Sequence, residues 1–390
     1  MKKIFFAHQF PSMHSQTKLM VANPPEGYIF ILKKENFKQK FYNFIIKLKI
    51  VKLFYKKLIK QKINTLKAID YLSSVKIPKE ADLVFSTIPL DINQNYIIEI
   101  LDNPTSMAGY DYNLFNQKLG EIKNKLSSHF CKSIIIVNES SLKIMKKYFS
   151  DDKIIMNKIK LIRAAVKIPE INNKKEYSDK IKIIFIGSMA NPDDFYTKGG
   201  LEAIESFIKA SKKINNIYFT LRCKIPEEIK VKYSSIERLN FVEEELPKED
   251  FENLIFNSDI FLCPGHSYSL MALLEPMSYG IPIIALDTYA VRDYITNKNA
   301  IIIKPSNKIK GYFSPEYPSN MRSKEFIEDI KNIDERVIKD ISDAIIKLSK
   351  NNKLRIKMGQ EGLKLAKTKF SIELKNKKLK EVFDQVTNSI

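Results

Sequence analysis

The sequence predicts an α/β protein made of two Rossmann-like domains. Three observations carry this. Short apolar runs of strand length alternate with helical stretches along nearly the whole chain. The run KIIFIGS is hydrophobic on both faces, as a strand of a buried parallel sheet is. A polar, strand-free segment, INNKKEYSDK, divides the alternation into two series, and 390 residues is long for one core.

In the first series the strands fall at 3–8, 28–32, 81–87, 95–102, 133–138 and 159–166. Helices are expected at 36–66, 114–130 and 140–149, the last with Ser140 as N-cap. The linker is 167–180. The second series places strands at 182–188, 217–223, 240–242, 259–265, 282–287 and 300–305. Helices are expected at 199–214, 247–258, within the segment 267–282 from near Ser269, and at 291–296. Three more fall near 334–349, 351–368 and 371–388.

Composition narrows the function classes. The formal net charge is +20, yet only seven of the 65 basic residues are arginine. Lysine-rich basicity fits compositional drift or an anionic membrane surface better than a phosphate-reading nucleic-acid binder, which favours the planar arginine fork. Residues 33–67 form a lysine-rich amphipathic stretch. It reads either as a helix packed on one side with solvated lysines opposite, or as a face for an anionic membrane. Nucleic acid is not expected as a partner. The three cysteines, Cys131, Cys223 and Cys263, are scattered without a CxxC spacing, so neither a disulfide framework nor a zinc site is expected and a cytoplasmic location is. The N-terminal MKKIFFAHQFPS has too short an apolar run for a signal peptide, and no stretch is long enough to span a bilayer.

One short segment concentrates the chemistry: SYSLMALLEPMSYGIP, Ser267 to Pro282. It follows a parallel strand, at the sheet edge where α/β proteins bind ligands. Its helix would point free N–H groups into that crevice, a ready anion site. Glu275 is too far along to cap that helix and sits among apolar neighbours ahead of Pro276, a helix-kinking residue. A partly buried carboxylate beside an anion site suggests hydrogen bonding to hydroxyls such as those of a ribose.

The stretch DIFLCPGHSYSLMALLEPMSYGIPIIALD resembles the nucleotide-sugar segment of GT-B glycosyltransferases, specifically the family 4 (group 1) retaining enzymes. Pro264, Leu274, Glu275, Met277, Gly280 and Pro282 carry the match. GSMANPDDFYTKGG is similar to the Gly-Arg loop of that family, and NNKLRIKMGQEGLKLAKTKFS to its C-terminal stretch. The resemblance implies two Rossmann-like domains facing a cleft. The boundaries would be 1–167 for an acceptor domain, 168–370 for a nucleotide-sugar domain, and 371–390 for a helix returning to the N-domain. It implies transfer of a hexose-type sugar from a nucleoside diphosphate sugar to a glycan or lipid-linked acceptor, with retention. Lys198 would neutralise the leaving diphosphate, the backbone of Ser269, Leu270 and Met271 would donate N–H groups to phosphate, and Glu275 would hold the ribose.

Two departures stand out. Ser267 occupies the place of the family's first motif glutamate, and Ser188 that of the arginine after Gly187. Arg222, ending the next strand, is a candidate substitute cation, with a structural salt-bridge role as the alternative. His266 falls beside the sugar position, as a hydrogen-bonding wall. Asp193-Asp194 is not a DxD motif, so no metal or other cofactor is expected. In the first half, Asp102 is a candidate active-site residue, with Asn103 beside it; Asp-Asn-Pro is also strong turn chemistry. His8 and His14 are further candidate contacts. Ser188 and Ser267 also motivate a second expectation, a catalytically degenerate GT-B protein that binds without turnover. A third is another enzyme of that fold, such as a sugar-nucleotide epimerase. The enzyme is expected in the cytoplasm, either free or peripheral at the inner face of the membrane.

Overall fold

A computed structural model describes residues 1–7, 14–32, 76–170, 179–189, 192, 194–267, 270–314, 316–321 and 323–388. His8, Asp193, Ser269 and the lysine-rich 33–67 stretch lie outside the described residues. The chain forms two compact units, one of residues 1–163 with 375–390 and one of residues 164–374.

The first unit holds a six-stranded sheet ordered β2-β1-β3-β4-β5-β6. The strands are β1 (Lys2–Phe6), β2 (Tyr28–Leu32), β3 (Leu83–Ser86), β4 (Tyr96–Ile100), β5 (Cys131–Ile136) and β6 (Ile159–Leu161). Every pairing is parallel. Alternate side chains of each strand therefore pack two separate cores. Phe5, Val84, Ile98 and Ile134 face one layer of helices with Leu114, Phe115, Met145 and Phe149. Ile4, Phe6, Phe85 and Ile97 face the other side, where Leu379, Val382 and Phe383 of the helix Ile372–Thr387 cover them. That helix is pinned by a fully buried ion pair, Lys375 Nζ to Glu99 Oε1 at 2.5 Å.

The second unit repeats the design with the order β12-β11-β10-β7-β8-β9. The strands are β7 (Ile181–Ile186), β8 (Ile217–Arg222), β9 (Leu239–Val242), β10 (Ile260–Cys263), β11 (Ile283–Leu286) and β12 (Ala300–Ile303), again all parallel. Ile183, Phe185, Phe219, Leu221 and Leu262 meet Ile204 and Phe207 of the helix Gly200–Ser211, and Ile341 and Ile345 of the helix Glu335–Lys350. On the other face the helix Leu270–Ser278 packs against Asn352–Lys369. Their contact is a backbone-to-backbone approach. A Cβ on Gly359 would lie 1.9 Å from the Gly280 carbonyl oxygen, and Gly280 itself has φ +67°.

All twelve expected strands are present among the described residues, and the helices differ more. The expected helix 114–130 is two, Tyr112–Gln117 and Leu119–Ser127, broken at Lys118. Its N-terminus is set by Asp111, whose carboxylate accepts from the Leu114 N–H. Asn138, not Ser140, caps the helix Glu139–Phe149, accepting from the Ser141 N–H at 2.7 Å. The expected helix 291–296 is a single 3-10 turn, Val291–Asp293. Helices at Ser15–Ala22, Lys153–Lys158, Glu227–Tyr233 and Lys324–Ile330 are too short to show a full apolar period in sequence. No described helix is long and apolar enough to cross a membrane.

Candidate functional site

The second unit changes direction at β7. Its chain neighbour β8 lies on one side and β10 on the other, so the C-terminal ends of β7 and β10 flank a topological switch point. Such a point leaves a crevice where connections diverge. The site residues hang from these strand ends.

Gly187 ends β7 and donates its N–H to the Arg222 carbonyl at 3.0 Å. A Cβ there would meet Cys223 Cβ at 2.8 Å, so no side chain fits. Ser188 follows, its carbonyl accepting from the Lys224 N–H. The loop then runs through a short helix, Asp194–Thr197, to Lys198 and Gly199. Gly199 has φ +78°, and a Cβ on it would be 2.0 Å from the Pro264 carbonyl oxygen. Only glycine lets this loop close onto the end of β10.

The closure is completed from the other side. The N–H groups of His266 and Ser267 both donate to the Thr197 carbonyl, at 3.0 and 3.1 Å. Ser267 Oγ contacts the same carbonyl and also lies 3.3 Å from Lys198 Nζ. Lys198 and Ser267, 69 positions apart in the chain, therefore share one point. The Lys198 charge reaches Cys263 as well: burial pushes that thiol up to about 11, and the ammonium pulls against it.

The helix Leu270–Ser278 begins just beyond. Leu270 is buried and Met271 half-buried. Leu273, Leu274 and Met277 anchor its inner face. Glu275 is half-buried on the same helix. No described residue hydrogen-bonds its carboxylate. Burial pushes its pKa up to about 7, opposed by the positive charge of Arg222. Arg222 stacks its guanidinium 5.0 Å over the Phe251 ring. Desolvation lowers its pKa, while Glu245 and Glu275 favour the charged form.

His266 behaves differently from the sugar-facing wall expected for it. Its ring is 2% exposed and both nitrogens are engaged inside the protein. Nε2 is 2.7 Å from Glu202 Oε1 and Nδ1 is 2.6 Å from the Tyr312 hydroxyl. Burial pushes the Tyr312 phenol far up, so it keeps its proton. The two ring nitrogens are thus paired with the Tyr312 hydroxyl and the Glu202 carboxylate. The ring has no polar atom left for a ligand and instead holds the Pro264–Ser267 turn against the helix Gly200–Ser211. Sequence reasoning missed Glu202 and Tyr312; neither lies in a motif, and the 3-10 turn Lys310–Phe313 that carries Tyr312 is too short for a periodic signal.

Asp102 belongs to the first unit. It is buried just after β4 and ahead of a 3-10 helix, Pro104–Ala108. Asn103 caps that helix, its Oδ1 accepting from the Thr105 N–H at 2.9 Å and from the Thr105 hydroxyl. Turn chemistry accounts for Asn103. His14 caps the helix Ser15–Ala22, with Nδ1 accepting from the Gln16 N–H. Among the described residues no group of three or more His, Cys, Asp or Glu side chains is placed to hold a metal ion.

Two parallel six-stranded sheets, each sandwiched by helices, with a strand-end site on the second, define the GT-B fold of glycosyltransferases. The sequence model of the family described as Glycosyl transferases group 1 matches residues 166–310, a span that carries Gly187, Lys198, Arg222, His266, Ser267 and Glu275. Solved structures of that fold are similar to the whole chain. HepE of Anabaena in complex with UDP is 10% identical, with a TM-score of 0.62, over 99% of this chain and 100% of that one. A glycosyltransferase from Rickettsia africae is 15% identical, with a TM-score of 0.57, over 100% and 90%. The pneumococcal O-GlcNAc transferase GtfA in complex with UDP and GlcNAc is 14% identical, with a TM-score of 0.54. That alignment covers 78% of this chain but 56% of GtfA, so the chain spans little more than half of that relative. No curated protein matches in sequence.

Proposed function

We propose that the protein is a retaining, metal-independent glycosyltransferase of the family 4 type. It moves a hexose-type sugar from a nucleoside diphosphate sugar to a glycan or lipid-linked acceptor, in the cytoplasm. One observation carries the reading. Lys198, Ser267, the first turn of the helix Leu270–Ser278 and the carboxylate of Glu275, which no described residue hydrogen-bonds, all stem from the strand ends of one parallel sheet. The UDP bound by the similar HepE and GtfA structures supports it.

In this reading the bond between the anomeric carbon and the donor phosphate oxygen breaks, and negative charge builds on the departing diphosphate. The Lys198 ammonium and the N–H groups of Leu270 and Met271, which open the helix, meet that charge where it develops. The acceptor hydroxyl forms the new C–O bond from the same face and passes its proton to the leaving phosphate oxygen. Glu275 accepts the ribose hydroxyls. Asp102 is proposed as the first unit's catalytic residue.

The test is a screen of nucleotide sugars by thermal shift and by release of nucleoside diphosphate, run with and without EDTA. One donor should stabilise the wild type and be turned over in EDTA, and Glu275→Ala should lose the stabilisation. Anomeric configuration of the product, read by NMR coupling, checks retention. Binding without turnover by any donor and acceptor would favour the degenerate reading that Ser188 and Ser267 suggest.

A further inference from the structure

A second cation stands at the far side of the same site, and the chemistry described so far leaves it without a task. Arg222 ends β8. Its Nε is fully buried and has no hydrogen-bond partner among the described residues. A buried N–H without an acceptor costs on the order of 1–3 kcal/mol. The guanidinium carbon lies 5.0 Å from the centre of the Phe251 ring, on the helix Lys248–Phe256, a cation–π contact that anchors it. Arg222 is thus an anchored cation whose Nε has no acceptor among the described residues, at the strand-end edge that carries the site.

We propose that Arg222 reads the nucleobase of the donor, and that it selects a base whose edge presents a ring carbonyl oxygen, as uracil and guanine do. This rests on the nucleoside diphosphate donor proposed above.

Three observations favour the base over the diphosphate as its partner. The first is order. A nucleotide runs phosphate, ribose, base. Lys198 is tied to Ser267 on the β10 side, and its charge is felt at Cys263. Arg222 lies on the β8 side, with β7 between, and its charge is felt at Cys223 and Glu275. With the ribose at Glu275, the phosphates fall toward Lys198 and the base toward Arg222. The second is charge. Glu245 and Glu275 both act on Arg222. Two carboxylates repel a diphosphate and leave a neutral base indifferent. The third is shape. A planar fork backed by an aromatic ring suits a flat ligand with acceptor oxygens, the pairing arginine makes with guanine O6 and N7.

A site built to satisfy a buried donor rejects ligands that lack the matching acceptor. Calorimetric titration of the full chain with UDP, GDP and ADP tests this. The wild type should bind UDP or GDP at least about tenfold tighter than ADP, the scale of one polar contact. Arg222→Gln and Arg222→Lys should both lose most of that preference, because lysine keeps the charge but not the fork. Phe251→Leu should lose part of it, and provides a second route should the arginine variants fold poorly. A loss of UDP and ADP affinity by the same factor in Arg222→Gln, with Arg222→Lys near wild type, would make Arg222 a phosphate cation and overturn the assignment. So would unchanged UDP binding in both variants, or a wild type that does not distinguish ADP. A wild type that binds no nucleoside diphosphate removes the donor reading itself, a different failure from these.

Discussion

Two charged clusters hang from the same sheet edge of the second unit, and they differ in how their hydrogen-bonding capacity is used. In the Glu202–His266–Tyr312 cluster the imidazole is saturated: each ring nitrogen has a partner within 2.7 Å, and the ring is buried. In the Arg222–Glu275 pair the two charges act on each other with no hydrogen bond between them. Glu275 has no hydrogen-bond partner among the described residues, Arg222 Nε has none either, and both groups carry shifted pKa values. Desolvation raises the cost of an unmet charge, so an unsaturated cluster persists only where something else compensates. The cluster with the saturated imidazole builds the site, its Glu202 Oε2 being the one atom of the three side chains that is buried without a partner among the described residues. The unsaturated one is poised for a ligand.

The contrast can be broken most forcefully at the saturated end. His266→Ala strips Glu202 of its partner in the interior and should cost about 3–5 kcal/mol, read as a lowered urea midpoint. A loss of less than about 1 kcal/mol would show that the cluster is not what holds the turn. Lys198→Ala should cut turnover by about 10²–10³ while leaving the urea midpoint near wild type, since the residue is half-buried and meets developing charge. Equal losses in turnover and stability would place Lys198 with the structural cluster instead. Gly199→Ala forces a methyl into the Pro264 carbonyl at positive φ and should cost about 1–3 kcal/mol together with donor affinity. Wild-type behaviour there would mean that the loop is not closed as described.

A smaller effect separates the two clusters by pH. The folded-state pKa of Glu275, about 7, lies above its ordinary value of 4.5. The wild type is therefore most favoured below about pH 4.5 at this position, and loses that contribution as pH rises to about 7. Glu275→Gln should accordingly gain stability relative to wild type at pH 8 compared with pH 5, by roughly 1–3 kcal/mol. A difference that does not change over this range would mean the carboxylate is not desolvated. Smallest of all, Ser267→Ala removes two hydrogen bonds of 3.3 Å and should shift stability by under about 1 kcal/mol. A large loss of donor binding in that variant would promote Ser267 from the loop's framework to the ligand.

The strands were legible because each is a short apolar run that must be buried on both faces. Ile183, Ile184, Ile284 and Ile301 announce themselves by composition alone. Glu275 was legible for the converse reason: one charge in a helix of Leu273, Leu274 and Met277. Helix starts were less so. Ser140 and Asn138 are both good caps in sequence, and only the backbone chose between them.

By itself, then, the sequence determined two parallel α/β sheets, the helix carrying Glu275, and the glycine and proline that end it, because these depend on local pattern and backbone geometry. Only the tertiary structure decided which polar groups meet. Glu202 and His266 are 64 positions apart, and Lys198 and Ser267 are 69. No periodicity encodes such a distance. The same holds for the tight fit of Gly199 beneath Pro264 and for the unmet Nε of Arg222. Whether a buried polar atom is satisfied depends on neighbours brought from several elements, and that is settled when the sheet order is.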